Sequence, residues 1–210
     1  LQYCTALTSL DLSFNSISDI TPVSSLLNLT SLGISWNAIV NVDALSGLIN
    51  LKDLSLGGNP ISNINPLASL TNLEYLYIGG CQVSNLSALA NLSRLRGLNF
   101  EYCQVSSIAP LSSLHVLENL WCRFNTISDV SPLGNLVNLK TINLDNNQIT
   151  NIESFAGLTK LTDLSISNNF IANLTVLSNF NNLTVFRAIG NVINEIQPLV
   201  GLVALQEIDL

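Results

Sequence analysis

The stretch LTSLDLSFNSISDITPVSSLLN, Leu7 to Asn28, decides the fold because the rest of the chain repeats it. The first leucine recurs with a constant step of 22 residues and no insertion, so nine full repeats fit within the 210 residues and a tenth begins. A fixed period of this kind is typical of a solenoid, in which each repeat packs only against its neighbours. Residues 1–210 are therefore predicted to form a single domain. The recurring leucines are Leu7, Leu29, Leu51, Leu73, Leu95, Leu117, Leu139, Leu161, Leu183 and Leu205.

The first half of each repeat follows the pattern L-x-x-L-x-L-x-x-N-x-I, as in Leu139, Ile142, Leu144, Asn147 and Ile149. Alternation around Ile142 and Leu144 predicts a short strand with these two side chains inward. Because every repeat contributes such a strand in the same direction, we expect one parallel sheet with a continuous outward face. The second half leaves room for one or two turns only. The predicted fold is a curved α/β solenoid with a concave parallel sheet and short 3₁₀ or loop segments on the convex side.

Two further columns of the repeat carry structural predictions. The Asn position is expected to form a ladder, because a carboxamide has two donors and an acceptor for buried backbone groups where the chain leaves the sheet. It reads Asn15, Asn37, Asn59, Cys81, Cys103, Asn125, Asn147, Asn169 and Asn191. The column expected to cap the 3₁₀ segments, with proline following at the first helical position in five repeats, reads Thr21, Asp43, Asn65, Ser87, Ala109, Ser131, Glu153, Thr175 and Gln197.

Taken together, LxxLxLxxNxI followed by SDITPV in the first repeat, or SDVSPL in the sixth, resembles the leucine-rich-repeat family over the whole chain. The 22-residue length and second halves such as IAPLSSL and INPLASLTNL are similar to bacterial surface proteins typified by the internalins. The same short class includes the leucine-rich regulator of type-1 protein phosphatase. The resemblance implies an array that binds proteins through its sheet face.

Composition bounds the location and the partners. Charged residues make up only 10% of the chain, and a surface rich in Asn, Ser and Thr favours the exported bacterial type, extracellular or at the cell surface, with a cytoplasmic location as the alternative. The net charge of −7, spread singly along the chain, argues against a nucleic-acid partner. No apolar run reaches the roughly 20 residues that span a bilayer, so no membrane insertion is expected. Both ends fall inside the repeat frame without polar caps, so we expect a fragment of a longer protein.

Catalytic chemistry has little to work with in this sequence. The one histidine, His115, lies in a helix-to-strand connection with no Ser or Cys placed for activation. Gly57-Gly58 and Gly79-Gly80 follow strands without opening a helix, so we interpret them as turn residues and an open patch on the sheet face. We therefore predict no catalytic site, no cofactor and no metal site. The carboxylates on the sheet face that are too scattered for a metal cage are Asp11, Asp53 and Asp209.

The four cysteines fall into two kinds of column. Cys4 and Cys122 take inward leucine-type positions, whereas Cys81 and Cys103 take consecutive ladder positions, where the family pattern also admits Cys. Adjacent strands lie about 4.8 Å apart, so distance alone does not exclude a disulfide between Cys81 and Cys103. Free thiols are favoured, since the ladder role explains both residues without a bond. All four thiols are expected to be protected in the folded protein.

Aromatic residues gather on the outward positions of repeats four to six. Tyr77 and Trp121 should lie two strands apart, about 9 to 10 Å, with Asn99 and Gly97 between them, which makes a slot for a partner side chain or a flat sugar ring. Exposed aromatics with an arginine are typical of interface hot spots; the alternative is that they only stabilise the strand surface by cross-strand packing. The predicted ligand-binding residues of the concave face are Tyr75, Tyr77, Asn99, Glu101, Tyr102, Trp121, Arg123 and Phe124, with Glu101 and Arg123 as a candidate ion pair.

A lesser aromatic patch, Phe14 with Trp36, lies in the first loop column, where partial burial and binding are both open. The sequence thus predicts a non-enzymatic protein-binding module, with adhesion or partner recognition as its role. Carbohydrate binding is the alternative from another class. An intracellular regulatory scaffold and a structural spacer in a long stalk remain as further hypotheses.

Overall fold

The computed structural model describes residue 1 and residues 3–210. Within this part of the chain, ten three-residue strands alternate with nine short 3₁₀ helices. The strands are Ser9–Asp11 (β1), Ser31–Gly33 (β2), Asp53–Ser55 (β3), Tyr75–Tyr77 (β4), Gly97–Asn99 (β5), Asn119–Trp121 (β6), Thr141–Asn143 (β7), Asp163–Ser165 (β8), Val185–Arg187 (β9) and Glu207–Asp209 (β10). The helices are Thr21–Val23, Asp43–Leu45, Asn65–Ser69, Ser87–Leu89, Ala109–Ser113, Ser131–Leu133, Glu153–Gly157, Thr175–Asn179 and Gln197–Leu199.

The ten strands form one parallel sheet in chain order, from β1 to β10. Each strand pairs with its equivalent 22 residues further on, so that Leu54 lies beside Leu76 and Leu76 beside Leu98. This constant register keeps every outward column in a straight row across the sheet. Together with the 3₁₀ helices on the opposite side, it confirms the predicted curved solenoid with a parallel concave sheet.

The core is a stack of leucine-type columns between the sheet and the 3₁₀ helices. Leu76 of β4 and Leu67 of the helix before it are fully buried, as are their equivalents through most of the array. Phenylalanines fill the largest of these positions at Phe100, Phe155 and Phe180. Truncating one buried leucine to Ala would cost about 2 to 5 kcal/mol, since a close-packed core collapses only partly around the cavity.

The asparagine ladder is confirmed. Asn147 donates from Nδ2 to the carbonyl of Leu144 in its own repeat at 3.0 Å and to that of Cys122 in the preceding repeat at 3.1 Å. Its Oδ1 accepts from the backbone N–H of Ile127 at 3.0 Å. In the two cysteine rungs the thiol takes over part of this role, because Cys81 Sγ donates to the carbonyl of Leu56 at 3.5 Å.

The predicted capping column is wrong by one residue. Thr21 is the first helical residue and Pro22 the second; the N-cap is Ile20, which is buried and makes no side-chain capping bond. Since the core requires an apolar residue there, the polar cap moves two residues before the helix, where Asp19 Oδ1 accepts from the N–H of Thr21 at 2.8 Å. In seven further repeats a side-chain oxygen accepts the equivalent hydrogen bond from the N–H two residues later. The accepting residues are Asn41, Asn63, Asn85, Ser107, Asp129, Asn151 and Asn173.

The cysteine prediction holds for three residues and is wrong for Cys4. Cys81, Cys103 and Cys122 are buried and Cys4 is exposed; all four are free thiols. Cys4 precedes β1 and donates its backbone N–H to Leu1, itself exposed, so no strand pair covers it in the way that β6 and its neighbours cover Cys122. An inward column buries its side chain only where repeats stack on both sides.

Candidate functional site

The strand register brings the predicted face residues into rows. Tyr77 of β4 pairs with Asn99 of β5, and Asn99 with Trp121 of β6. Tyr77 is 37% exposed, whereas Trp121 is half-buried. Tyr75 is half-buried because its ring lies over Gly97, where an added Cβ would come within 2.7 Å of Tyr75 Cδ1. Tyr77, Asn99 and Trp121 thus form the row that the sequence predicted, with Tyr75 folded against the sheet.

At the edge of this face, Glu101, Tyr102, Arg123 and Phe124 form a compact cluster. The Arg123 Nε lies 3.0 Å from Glu101 Oε1, which confirms the candidate ion pair. The angle is too poor for a hydrogen bond, and this nitrogen has no hydrogen-bond partner among the described residues. The Tyr102 and Phe124 rings stack with centroids 4.3 Å apart, and the Arg123 guanidinium carbon lies 5.5 Å from the Tyr102 centroid.

The third residue after each of the first nine strands adopts a left-handed backbone conformation, which the sequence analysis did not predict. Nine repeats show it, with φ between 53° and 73°. Glycine and asparagine tolerate such a conformation, but bulky residues do so at a cost of roughly 1 to 2 kcal/mol. The presence of Gly and Asn, together with aromatic residues, at this one repeat position was the sequence signal that could have predicted the left-handed conformation. This left-handed column consists of Phe14, Trp36, Gly58, Gly80, Tyr102, Phe124, Asn146, Asn168 and Gly190.

Two glycine repeats between aromatic ones create a groove in this column, the Trp36–Tyr102 groove, with a volume of about 570 Å³. The Trp36 indole lies flat over Gly58, where an added Cβ would meet its ring at 2.7 Å. Trp36 and Tyr102 are 60% and 53% exposed. The glycines interpreted from sequence as turn residues thus also contribute to the floor of a pocket whose volume lies in the range of small-molecule binding sites. The groove is lined by Ser35, Trp36, Gly57, Tyr77, Gly79, Gly80, Asn99, Glu101 and Tyr102.

The groove and the predicted slot overlap only in part. Tyr77, Asn99, Glu101 and Tyr102 line the groove, whereas Trp121 does not. The lesser patch contributes more than expected, because Trp36 forms one wall of the groove and stacks on Phe14 with centroids 6.2 Å apart. The candidate site therefore extends from repeat one to repeat six.

The outward columns of the sheet carry an excess of acid. Arg187 is surrounded by carboxylates, with Nη2 2.6 Å from Glu207 and other nitrogens 3.8 Å from Asp163 and 3.7 Å from Asp209. Burial raises the pKa of the Asp163 carboxyl, an effect that Arg187 opposes. Burial also raises the pKa of Tyr77, which with Tyr75 and Asp53 nearby stays a neutral phenol at physiological pH. The face bears Asp11, Asp53, Glu101, Asp145, Asp163, Glu207 and Asp209 against Arg123 and Arg187.

A charge ladder that the sequence analysis missed runs along the entry edge of the sheet. Lys52 Nζ lies 3.5 Å from Glu74. The Glu118 carboxylate pairs with two cations: Oε1 lies 2.7 Å from Arg96 Nη1, and Oε2 lies 2.6 Å from Lys140 Nζ. The signal was present, since these alternating charges recur every 22 residues at the position before the strand. The side chains are partly exposed, so each pair contributes about 1 kcal/mol or less.

Within residues 1 and 3–210, no group of three or more His, Cys, Asp and Glu side chains is arranged to hold a metal ion. In the same part of the chain, no helix has the length and apolar character needed to cross a membrane. His115 is exposed, and its carbonyl accepts a hydrogen bond from Asn138 at 2.8 Å.

Repeat register, asparagine ladder and 3₁₀ turns define a leucine-rich-repeat array. Family models agree: "Leucine Rich repeats (2 copies)" matches residues 49–91 and 137–179, and "Leucine Rich repeat" matches residues 3–20. The chain is a leucine-rich-repeat protein, and it resembles the internalins. A search of curated protein sequences finds no match. Arrays of this kind typically present their concave sheet as a protein-interaction surface.

Three solved structures from Listeria monocytogenes are similar to it. Internalin C2 is 29% identical with a TM-score of 0.87, covering 89% of this chain and 83% of its own. The internalin InlF is 27% identical with a TM-score of 0.61, covering 100% of this chain and 82% of its own. The functional domain of InlJ, described as including a cysteine ladder, is 25% identical with a TM-score of 0.76, covering 97% of this chain and 48% of its own.

Proposed function

We propose that this chain is the protein-recognition module of a bacterial surface or secreted protein, and that it binds its partner on the concave sheet and the adjoining left-handed column. It acts by adhesion or partner recognition and carries out no reaction of its own. The likeness to internalin C2 and InlF supports the bacterial setting. The acid excess on the face favours a partner protein with basic or neutral groups over a nucleic-acid backbone.

The observation that carries the proposal is the placement of exposed aromatics in strained backbone. Phe14, Trp36, Tyr102 and Phe124 all have φ between 53° and 58° and are between 39% and 78% exposed. The backbone conformation does not call for large rings, because glycine and asparagine fill the same column elsewhere at lower cost. Strained residues with large exposed rings are typical of ligand-binding surfaces. Cross-strand packing alone does not explain them, since they lie beyond the strand ends.

The proposed binding residues are the eight face residues together with Trp36. Truncating Trp121 or Tyr77 to Ala is expected to weaken binding of the natural partner protein by about 2 kcal/mol or more, which is roughly thirtyfold in Kd. Neither side chain fills the core, so the unfolding midpoint should stay near that of the parent. Calorimetric titration with the partner measures the affinity, and the exposed His115→Ala is the matched control.

Two outcomes would redirect the proposal. If Trp121→Ala, Tyr77→Ala and Trp36→Asn all bind the partner like the parent, the aromatic surface is not the site. If a glycan array gives saturable binding that Trp121→Ala abolishes, the face recognises carbohydrate rather than protein. The location is tested separately, by asking whether protease added to intact cells removes the protein.

A further inference from the structure

We propose that the Trp36–Tyr102 groove is a receptor for a basic side chain, an arginine guanidinium in first place, presented by the partner protein. The inference rests on the proposed function and names the chemistry of one of its contacts. It goes beyond a general aromatic surface because the groove combines aromatic walls, a bare backbone floor and a carboxylate. Each of these features matches a different part of an arginine side chain.

The walls of the groove are aromatic on three sides. Trp36 and Tyr102 close its two ends along the left-handed column, and Tyr77 stands on the sheet side. The faces of Trp and Tyr rings attract cations through their quadrupole, and the attraction is strongest for Trp and most often uses Arg. Tyr77 is a neutral phenol at physiological pH, as any tyrosine with a pKa of about 10 is, and burial raises its pKa further.

The floor suits the aliphatic stem of such a side chain. The backbone is bare at Gly80, where an added Cβ would meet only the backbone of Gly58, at 3.5 Å. At Gly79 the Asn99 side chain lies beside the backbone, with its Oδ1 2.6 Å from an added Cβ. An arginine stem can lie along this apolar strip while its charged end reaches the polar rim. The groove volume of about 570 Å³ leaves room for the whole side chain.

The charge at the groove has the sign that a cation needs. Glu101 lines it, and its partner Arg123 does not. The other guanidinium of the face, Arg187, is held by three carboxylates in repeats eight to ten. Asp53 lies close enough to influence Tyr77. Among its lining residues the groove thus has one carboxylate, Glu101, which is paired with Arg123 outside the groove, and no cation. This balance favours a basic ligand over an acidic or phosphorylated one.

The chain itself shows that Tyr102 accepts a guanidinium. The Cζ of Arg123 lies 5.5 Å from the Tyr102 centroid and 5.9 Å from that of Phe124, with Glu101 as its carboxylate partner. A second guanidinium, bound in the groove, would contact the Tyr102 ring and Glu101 from the groove side, which Arg123 does not line. Such sharing of one carboxylate between two cations occurs elsewhere on this molecule, where Glu118 holds both Arg96 and Lys140.

The experiment titrates the folded protein with N-acetyl-arginine amide and, in parallel, with N-acetyl-citrulline amide, which has nearly the same shape and no charge. Nuclear magnetic resonance follows the backbone amides of Gly58 and Gly80 and the indole N–H of Trp36. We expect saturable shifts of these signals with the arginine probe in the millimolar range, and binding of the citrulline probe at least fivefold weaker. Equal binding of both probes, or no shift with either, overturns the proposal.

Variants separate this inference from the proposed function. Trp36→Asn, which the left-handed backbone tolerates, should abolish the shifts, and Glu101→Gln should weaken the arginine probe at least threefold. Trp121→Ala should leave them unchanged, because Trp121 does not line the groove. If the probe binds as expected and the natural partner is insensitive to Trp121→Ala but loses affinity with Trp36→Asn, the groove stands and the part of the proposed face around Trp121 fails. If the partner needs Trp121 but the probe does not bind, the inference fails alone.

Discussion

Asn147 donates its Nδ2 to the carbonyl of Cys122, 25 residues earlier, at 3.1 Å. The same side chain accepts the N–H of Ile127 from that repeat at 3.0 Å. Because its Nδ2 also donates to the carbonyl of Leu144 in its own repeat at 3.0 Å, one carboxamide satisfies backbone groups on both sides of a junction between repeats. Stability in an array depends on such nearest-neighbour links, because no contacts join distant repeats.

Replacing Asn147 by Ala should lower the free energy of unfolding by about 1 to 3 kcal/mol, since buried backbone groups would lose their partners. Chemical denaturation measures the loss. The outward Asn143→Ala is the matched control, because Asn143 is half-exposed and its Oδ1 accepts only from the N–H of Asp145. Equal losses for the two variants would show that the ladder carries less energy than its geometry indicates.

Alkylation of the native protein should modify Cys4 quickly and the other three thiols slowly. Burial raises the pKa of Cys103 to about 12 and raises that of Cys122 well above its usual value. The reactive thiolate is therefore scarce at these sites at pH 8, in addition to being shielded. Mass measurement after a short pulse of iodoacetamide should show one adduct, and four after denaturation. Two or more adducts in the pulse would contradict the burial of the ladder and core cysteines.

Phe14→Asn should leave the protein at least as stable as the parent. Phe14 is 78% exposed at φ 58°, and Asn146 and Asn168 occupy the same conformation in other repeats. Phe14→Ala removes the same ring stack but keeps a residue that resists this backbone, so it should be less stable than Phe14→Asn by about 1 kcal/mol. Urea denaturation compares the pair. An Ala variant as stable as the Asn variant would mean that the aromatic column is not strained.

The charge ladder should make stability depend on pH through Glu118. The hydrogen bond from Lys140, and then Arg96, lowers the pKa of this carboxyl in the folded protein. A folded pKa below the unfolded value of about 4.3 means that the stabilisation is present above that value and is lost as pH falls through the folded pKa. Glu118→Gln should therefore cost about 1 kcal/mol or less at pH 7, after allowance for solvent screening.

The same variant should lose its effect in acid. Denaturation midpoints of the parent and of Glu118→Gln are compared at pH 7 and at an acid pH below the folded pKa of Glu118, where the parental carboxyl is also neutral. Added salt should shrink the difference at pH 7. A gap that persists in acid would mean that Glu118 acts through packing and not through its charge.

Almost all of the fold could be predicted from the sequence, because an exact 22-residue step permits only one register between neighbouring strands. Inward columns, the parallel sheet and the asparagine ladder all derive from that step and the strand period. The capping residue was misplaced because a polar N-cap preference was applied to a position beside the core, where Ile20 is needed for burial. Cys4 was misplaced because the column was treated as independent of its stacking partners.

The sequence predicted the composition of the aromatic surface better than the position of each side chain, and the role of this surface in binding stays a prediction. Tyr77, Asn99, Glu101 and Tyr102 were named from sequence and line the groove. Trp36 was treated as a minor residue, because the strand period does not predict the side-chain direction of a residue three positions beyond the end of the strand. In the structure Trp36 has φ 56°, and its indole lies over Gly58. A side chain's direction outside regular structure depends on dihedral angles that a repeat alignment does not contain.

The two glycine repeats between Trp36 and Tyr102 set the length of the groove and therefore the size of the ligand group that fits in it. Each repeat adds one strand spacing of about 4.8 Å along the sheet. Deleting residues 37–58 as one unit would leave Trp36 and Tyr102 one step closer while keeping Tyr77, and duplicating them would set Trp36 and Tyr102 one step further apart. Because neither operation changes the register of any remaining pair, the selectivity of such a groove can be altered in fixed increments while the rest of the molecule stays the same.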